Sequence, residues 1–134
     1  MGNIIPEVAV SNMENSLKFY NTLGFTKTQD GVIDEQGSQW SSLDMGGMAL
    51  WLTRQDVVPN LKKSEVRGNG VNIYVPVDDV DAVYEKVKGS GYQGNIIRDI
   101  KTEYYGLRQF SMTDPDGYML TLNMQSAQNN ATNS

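Results

Sequence analysis

The residues that most often perform acid–base or metal chemistry at neutral pH are missing from this sequence, which contains no His and no Cys. Disulfides, thiolate nucleophiles, zinc–thiolate sites and imidazole ligands are excluded together. The remaining candidates are aromatic rings and carboxylates, which hold ligands by stacking and by charge. They are Glu7, Trp40, Trp51, Tyr104 and Tyr105.

Asp114 and Asp116 are spaced like an acid pair, but a tight turn explains them. Pro115 presets one turn dihedral, Gly117 tolerates a positive φ, and both carboxylates can accept hydrogen bonds from turn amides. We therefore give the pair a structural role and predict no catalytic residue.

Hydrophobic periodicity predicts that the same series of elements occurs twice along the chain. The first series is a strand over 3–10, a helix from the N-cap Asn12 to Leu23 that Gly24 ends, a strand over 25–29, and a hairpin of strands 40–45 and 48–53. The second is a strand over 71–77, a helix capped by Asp78 or Asp79 that ends at Gly89 or Gly91, a strand over 93–99, and a final hairpin around the 114–117 turn.

The two halves align with each other. Residues 9–14 match residues 76–81 at an offset of 67, and residues 48–52 match residues 118–122 at an offset of 70. We therefore predict an α+β fold in which two βαβββ modules form a curved mixed sheet around a cleft. The predicted domain is single, 1–134, with modules over about 3–53 and 71–124, a loop over 54–70 and a disordered tail over 125–134. Since Leu50 and Leu52 take the helix side of their strand, Trp51 should face the cleft.

Charge and hydropathy limit the classes of partner that the chain is predicted to bind. The formal net charge is −5 without a basic cluster, which argues against nucleic acid and is compatible with a cationic ligand. No apolar run reaches about 18 residues, so no membrane partner is predicted. The N-terminus lacks the features of a signal peptide, and this favours the cytoplasm.

Three motifs resemble one family. They are Asn15-Ser16-Leu17-Lys18-Phe19-Tyr20 with Leu23-Gly24-Phe25, then Val77-Asp78-Asp79-Val80, then Asp114-Pro115-Asp116-Gly117. In this order they resemble the vicinal oxygen chelate superfamily of glyoxalases, extradiol dioxygenases, fosfomycin-resistance enzymes and bleomycin-resistance proteins. The resemblance implies the two-module fold, but that fold hosts several chemistries.

Metal-using members of that superfamily place His or Glu at four cleft-facing strand positions. The resemblance maps these positions onto Ile5, Trp51, Asn72 and Thr121, and the internal repeat relates the same residues in pairs. Ile and Trp cannot ligate a metal, and neutral Asn and Thr are weak ligands without a carboxylate beside them. We therefore predict no metal and no other cofactor.

Several of these residues keep two interpretations at this point. Asn72 and Thr121 either line a binding cleft or lie on a solvated sheet face. Trp40 belongs either to the cleft or to an interface. Tyr104 and Tyr105 either border a pocket or pack on the surface.

The bleomycin-resistance branch is the nearest match, because its members lack the metal ligands and share the spacing from Pro6 to Ser16. It implies a homodimer that sequesters a cationic, glycopeptide-like antibiotic. The ligand-binding residues would be Glu7, Trp40, Trp51, Asn72, Tyr104, Tyr105 and Thr121. One alternative is a glyoxalase-like lyase or isomerase, in which Glu7 acts as the base and Arg108 or a Tyr as its electrostatic partner. Another is a dimeric regulatory or immunity domain with a vestigial cleft.

Overall fold

The computed structural model describes residues 4–32, 39–54 and 70–125. The chain divides into two compact units, Met1–Glu65 and Val66–Ser134, and each contains one four-stranded sheet and one α-helix. The predicted α+β class with two βαβββ modules is confirmed. The predicted loop 54–70 and tail 125–134 lie outside the described residues, apart from Arg54, Gly70 and Gln125.

Unit 1 carries its elements in the predicted order. They are β1 (Glu7–Val10), α1 (Met13–Leu23), β2 (Thr26–Val32), β3 (Gln39–Met45) and β4 (Met48–Arg54). The sheet order is β1-β4-β3-β2, with β1 parallel to β4 and the other neighbours antiparallel. Strand β1 begins at Glu7, later than the predicted start at residue 3.

Helix α1 has the predicted ends. The side chain of Asn12 accepts a hydrogen bond from the backbone N–H of Asn15 at 3.0 Å, which satisfies one free amide of the first turn. Gly24 ends the helix in the left-handed region, at φ 113°. A Cβ atom at Gly24 would lie 2.7 Å from the sulfur of Met45, so both backbone conformation and space require glycine there.

Unit 2 repeats the arrangement. Its elements are β5 (Asn72–Pro76), α2 (Val80–Gly89), a 3₁₀ turn (Gln93–Asn95), β6 (Ile96–Thr102), β7 (Leu107–Thr113) and β8 (Met119–Gln125). The sheet order is β5-β8-β7-β6. Asp79, rather than Asp78, caps α2 by accepting from the N–H of Ala82 at 3.1 Å. Within the described ranges, neither α-helix is long and apolar enough to cross a membrane.

The third strand of this unit differs from the predicted 93–99. Residues 93–95 form the 3₁₀ turn, and the side chain of Asn95 donates to the backbone carbonyl of Thr113 at 2.9 Å. The strand therefore starts at Ile96 and continues to Thr102. Its register against β7 shifts between Ile96 and Arg98 and again between Arg98 and Lys101.

In the turn between β7 and β8, Asp114 has the structural role that was predicted for it. The carboxylate of Asp114 accepts from the N–H groups of Asp116 and Tyr118, both at 2.9 Å, and Asp114 is 2 % exposed. Gly117 adopts φ 98°.

Strand register reproduces the internal repeat residue by residue. In unit 1, Glu7 pairs with Trp51 and Val8 with Leu52; in unit 2, Tyr74 pairs with Thr121 and Val75 with Leu122. These pairs are related by the offsets of 67 and 70 that the sequence contains. Leu52 and Leu122 are both fully buried, and each lies on a strand that its unit's helix contacts. The repeat therefore identifies equivalent positions in the two units.

Candidate ligand-binding site

Trp40 and Trp51 form an edge-to-face pair in unit 1. Their ring centroids lie 5.4 Å apart at an interplanar angle of 85°. Trp51 is opposite Ser42 and Trp40 is opposite Thr53, so the two side chains leave the same face of the β3–β4 hairpin. Both rings are partly exposed, and they are the two Trp residues of the chain.

Glu7 lies beside this pair. It is the partner of Trp51 in the parallel β1–β4 register, and the N–H of Trp51 donates to the carbonyl of Pro6 at 2.9 Å. The side chain of Glu7 is exposed. Three predicted site residues of unit 1 thus come together, and we call Glu7, Trp40 and Trp51 the aromatic face. Such a surface can stack a planar group and attract a cation beside it.

The site residues of unit 2 form a chain of side-chain hydrogen bonds. The hydroxyl of Thr121 donates to Oδ1 of Asn72 at 2.9 Å, and the hydroxyl oxygens of Thr121 and Ser111 are also 2.9 Å apart. Because Thr121 has only one hydroxyl proton, Ser111 must be the donor in the second bond. Thr121 and Ser111 are 1 % and 2 % exposed, whereas Asn72 is exposed. We call Ser111, Thr121 and Asn72 the polar chain; its open end is the amide nitrogen of Asn72.

Sequence reasoning missed Ser111, although a signal for it was available. Counting outward from the 114–117 turn pairs Thr113 with Met119 and Ser111 with Thr121. Side chains directly opposite in an antiparallel pair share a face, so Ser111 is the expected partner of Thr121.

Tyr104 and Tyr105 lie between β6 and β7, with their rings 5.0 Å apart and edge to face. Tyr104 is 98 % exposed. The hydroxyl of Tyr105 accepts from Nε2 of Gln109 at 3.0 Å, while Oε1 of Gln109 is buried without a partner among the described residues. Tyr105 therefore helps to hold a buried amide, and Tyr104 presents its ring to solvent.

Arg108 is on the other face of its strand from Gln109. Its guanidinium makes a bidentate contact with Asp81 of α2, with N–O distances of 2.8–3.1 Å. Hydrogen bonds from Arg108 lower the pKa of the Asp81 carboxyl. The cation therefore joins β7 to its helix, and it does not serve as an electrostatic partner on the face that carries Ser111.

The four positions that the resemblance maps onto metal ligands do not fit a metal here. The unit 1 positions, Ile5 and Trp51, have no oxygen, sulfur or imidazole donor. The oxygens of the unit 2 positions, Asn72 and Thr121, bond to each other. In the part of the chain that the structure describes, no three His, Cys, Asp or Glu side chains come close enough together to hold a metal ion.

Comparison with known protein families identifies the superfamily to which the chain belongs. The profile of the Glyoxalase/Bleomycin resistance protein/Dioxygenase superfamily matches residues 5–122, nearly the whole chain. The chain belongs to that superfamily. Among proteins with curated functions, no match was found.

Solved structures support the same fold at low identity. TioX from Micromonospora sp. ML1 is 18% identical, with 94% of this chain and 98% of that chain covered and a TM-score of 0.70. A glyoxalase family protein from Bacillus cereus is 11% identical, with 91% and 92% covered and a TM-score of 0.73. A bleomycin-binding protein complexed with bleomycin is 20% identical, with 94% and 100% covered and a TM-score of 0.62. At these identities the likeness concerns the fold.

Proposed function

We propose that this chain sequesters a small cationic antibiotic of the bleomycin type, and that the aromatic face is its main contact surface. The observation that carries the proposal is the partly exposed Trp40–Trp51 pair with the carboxylate of Glu7 in register beside it. Superfamily membership and the structural likeness to a bleomycin-binding protein support the choice of ligand class.

The chemistry of the aromatic face suits sequestration better than catalysis. Edge-to-face rings offer stacking area to a planar group, and Glu7 attracts a positive charge next to it. The net charge of −5 attracts the same kind of ligand over longer distances. Tight binding by such a surface needs no proton transfer and no metal.

Unit 2, taken by itself, offers a ligand polar and aromatic contacts through Asn72 and Tyr104. With Oδ1 of Asn72 occupied by Thr121, its exposed amide nitrogen is oriented as a donor. The exposed ring of Tyr104 can stack on a planar group that approaches unit 2. We assign both residues secondary roles in ligand binding. Thr121 positions Asn72 through its hydrogen bond, and the ring of Tyr105 packs against that of Tyr104.

We further propose that the protein works as a cytoplasmic homodimer. In unit 2, four large side chains have exposures of 53–98 %, and exposed apolar side chains of this size are typical of places where a partner binds. They are Val71, Tyr74, Ile97 and Tyr104. Light scattering coupled to size exclusion should give a mass near 30 kDa, about twice the 14.9 kDa of the chain. A mass near 15 kDa at micromolar concentration would remove the dimer.

Intrinsic fluorescence tests the binding proposal, because both Trp residues of the chain lie in the aromatic face. We expect metal-free and copper-loaded bleomycin to change the Trp emission with saturation at micromolar ligand. Bleomycin added to free tryptophan controls for absorption by the ligand. Flat curves for both forms would remove bleomycin as the ligand.

A further inference from the structure

A cavity in unit 1 shares only Trp40 with the aromatic face. It has a volume of about 450 Å³ and lies between α1 and the edge of the sheet formed by β2 and β3. This volume is within the range of about 300–1,000 Å³ that is typical of small-molecule sites. Its lining includes Glu14, Leu17, Asp30, Gln39 and Ser41.

The internal repeat assigns each of these residues an equivalent in unit 2. Met13 and Val80 begin the two helices, so the offset of 67 takes Leu17 to Tyr84. In the sheets, Ser41 pairs with Leu52 and Phe110 pairs with Leu122. Since Leu52 and Leu122 are equivalent, Ser41 occupies the position of Phe110. By the same reasoning, Glu14 and Gln39 correspond to the ion pair of Asp81 and Arg108.

In unit 2 a half-buried phenol ring of the helix packs against the sheet. Tyr84 packs edge to face on Phe110, with centroids 5.2 Å apart. Its hydroxyl donates a hydrogen bond to the carboxylate of Asp99. Asp99 lies in the bulged stretch of β6, between the residues that pair with Ser111 and Gln109 and therefore opposite Phe110.

In unit 1 the carboxylate is present but the two rings are not. Asp30 pairs directly with Ser41, so it stands where Asp99 stands relative to Phe110. Lys27 contacts Oδ2 of Asp30 at 2.6 Å, which leaves Oδ1 available as an acceptor. Leu17 and Ser41 stand where unit 2 has the rings of Tyr84 and Phe110, and both residues line the cavity.

We propose that this cavity binds the phenol group of a small molecule, with the ring between Leu17 and Ser41 and the hydroxyl donating to Asp30. The second unit of the same chain supplies the geometry, since Tyr84 makes the equivalent contacts internally. The side chains of Glu14 and Lys18 line the same cavity with opposite charges.

The phenol site is independent of the proposed antibiotic function. Asp30, Leu17 and Ser41 lie on the helix side of the sheet, whereas Glu7 and Trp51 lie on its other face. Trp40 borders the cavity as well as belonging to the aromatic face.

The test uses p-cresol, which is the free side chain of Tyr, and toluene, which lacks only its hydroxyl. In ¹H–¹⁵N spectra of the whole chain, p-cresol should shift the amides of Leu17, Gly31 and Ser41 with saturation. Toluene should bind at least about fivefold more weakly, because the hydrogen bond to the carboxylate is lost. The absence of saturable shifts for p-cresol, or shifts centred on Trp51, would overturn the proposal.

Two variants locate the site. The double variant Leu17→Tyr with Ser41→Phe introduces the two rings of unit 2 into unit 1. It should abolish p-cresol binding and raise Tm by about 3 °C. If the double variant does not fold, Leu17→Tyr alone is used in its place. Asp30→Asn should keep p-cresol binding but bring its affinity close to that of toluene. Unchanged p-cresol affinity in the filled variant would contradict the assignment.

Two further variants separate this site from others. Tyr84→Leu should open an equivalent second site in unit 2, and p-cresol should then restore part of the lost Tm; no recovery would contradict the equivalence. Trp51→Phe should weaken the response to bleomycin and leave the p-cresol shifts intact. If only the p-cresol response fails, the phenol site is wrong and the proposed antibiotic binding stands.

Discussion

The two sheets have the same topology and register, yet their equivalent faces carry different chemistry. Trp51 in unit 1 stands where unit 2 has Thr121, and Trp40 stands where unit 2 has Gln109. The tryptophans contact each other and remain partly exposed. Thr121 is buried and uses its hydroxyl within the polar chain. The repeat therefore fixes the positions, and the side chains decide which unit is available to a ligand.

The helix sides of the two sheets differ as well. In unit 2, Asp81, Tyr84 and Asp99 are engaged by internal partners. The equivalent residues of unit 1 line an open cavity. At these equivalent positions, unit 2 pairs its side chains with one another, whereas those of unit 1 border a cavity.

The largest losses of stability should come from core substitutions, and they should be equal in the two units because the cores are equivalent. Leu52→Ala and Leu122→Ala each remove a fully buried side chain and leave a cavity. Each should lower the free energy of unfolding by about 2–5 kcal/mol. Urea denaturation followed by circular dichroism measures this loss. Substantial destabilisation by only one of the two variants would break the equivalence.

The polar chain should contribute to stability where the aromatic face does not. Thr121→Val preserves shape but removes the hydroxyl that links Ser111 to Asn72, and should cost about 1–2 kcal/mol of unfolding free energy. The matched change Trp51→Phe, at a partly exposed ring, should cost less than about 1 kcal/mol. Both values come from the same denaturation assay. An unchanged stability of Thr121→Val would show that the hydrogen bonds add nothing.

The stability that the hydrogen bond between Tyr84 of α2 and Asp99 of β6 contributes should decrease at both low and high pH. The hydrogen bond from Tyr84 lowers the pKa of Asp99, and that bond to Asp99 raises the pKa of Tyr84. The contribution of Asp99 is therefore present above about pH 4 and lost as the pH falls further. The contribution of Tyr84 is present below about pH 10 and lost as the pH rises further.

A pH series of Tm compares the wild-type chain with Tyr84→Phe. The wild type should be more stable between about pH 5 and 9, and its advantage should shrink towards either limit. Leu17 occupies the equivalent position in unit 1 and does not titrate, so Leu17→Ala should give a difference that does not vary with pH. A constant difference for Tyr84→Phe would contradict the role of the hydrogen bond.

Divalent metals should have the smallest effect. Neither the pair Ile5 and Trp51 nor the pair Asn72 and Thr121 offers suitable ligands in its unit. Adding Zn²⁺, Ni²⁺ or Mn²⁺, or removing metal with EDTA, should leave Tm unchanged. Binding at a hundredfold excess over Kd would add about 2.7 kcal/mol of stability. A reproducible rise in Tm with one of these ions would contradict this prediction.

The sequence predicts most of the fold because its signals are local. Asn12 and Gly24 mark the ends of α1, and the 114–117 turn sets the register of the last hairpin. The start of β6 could not be predicted in the same way. It depends on a 3₁₀ turn that Asn95 holds through a contact 18 residues away in the chain.

The candidate site is less predictable than the fold. Alternation along β4 places Trp51 on the face of the strand that Leu50 and Leu52 do not occupy. The contact between Trp51 and Trp40, however, depends on the register of the whole hairpin. The hydrogen bonds that Thr121 makes with Ser111 and Asn72 depend on the pairing of β8 with two further strands, β7 and β5. The cavity beside α1 could not be predicted from the sequence, because its lining combines residues of α1, β2 and β3 that only the fold brings together.

Calorimetric titration of copper-loaded bleomycin into matched variants tests the central claim most directly. The aromatic face predicts saturable binding to the wild-type chain and at least about a tenfold loss in Trp51→Ala, whose ring lies at a hot spot of stacking. Thr121→Val, at the equivalent position of unit 2, should keep its affinity within about threefold. Equal affinity of Trp51→Ala and the wild type, or loss of binding in Thr121→Val alone, would contradict the account.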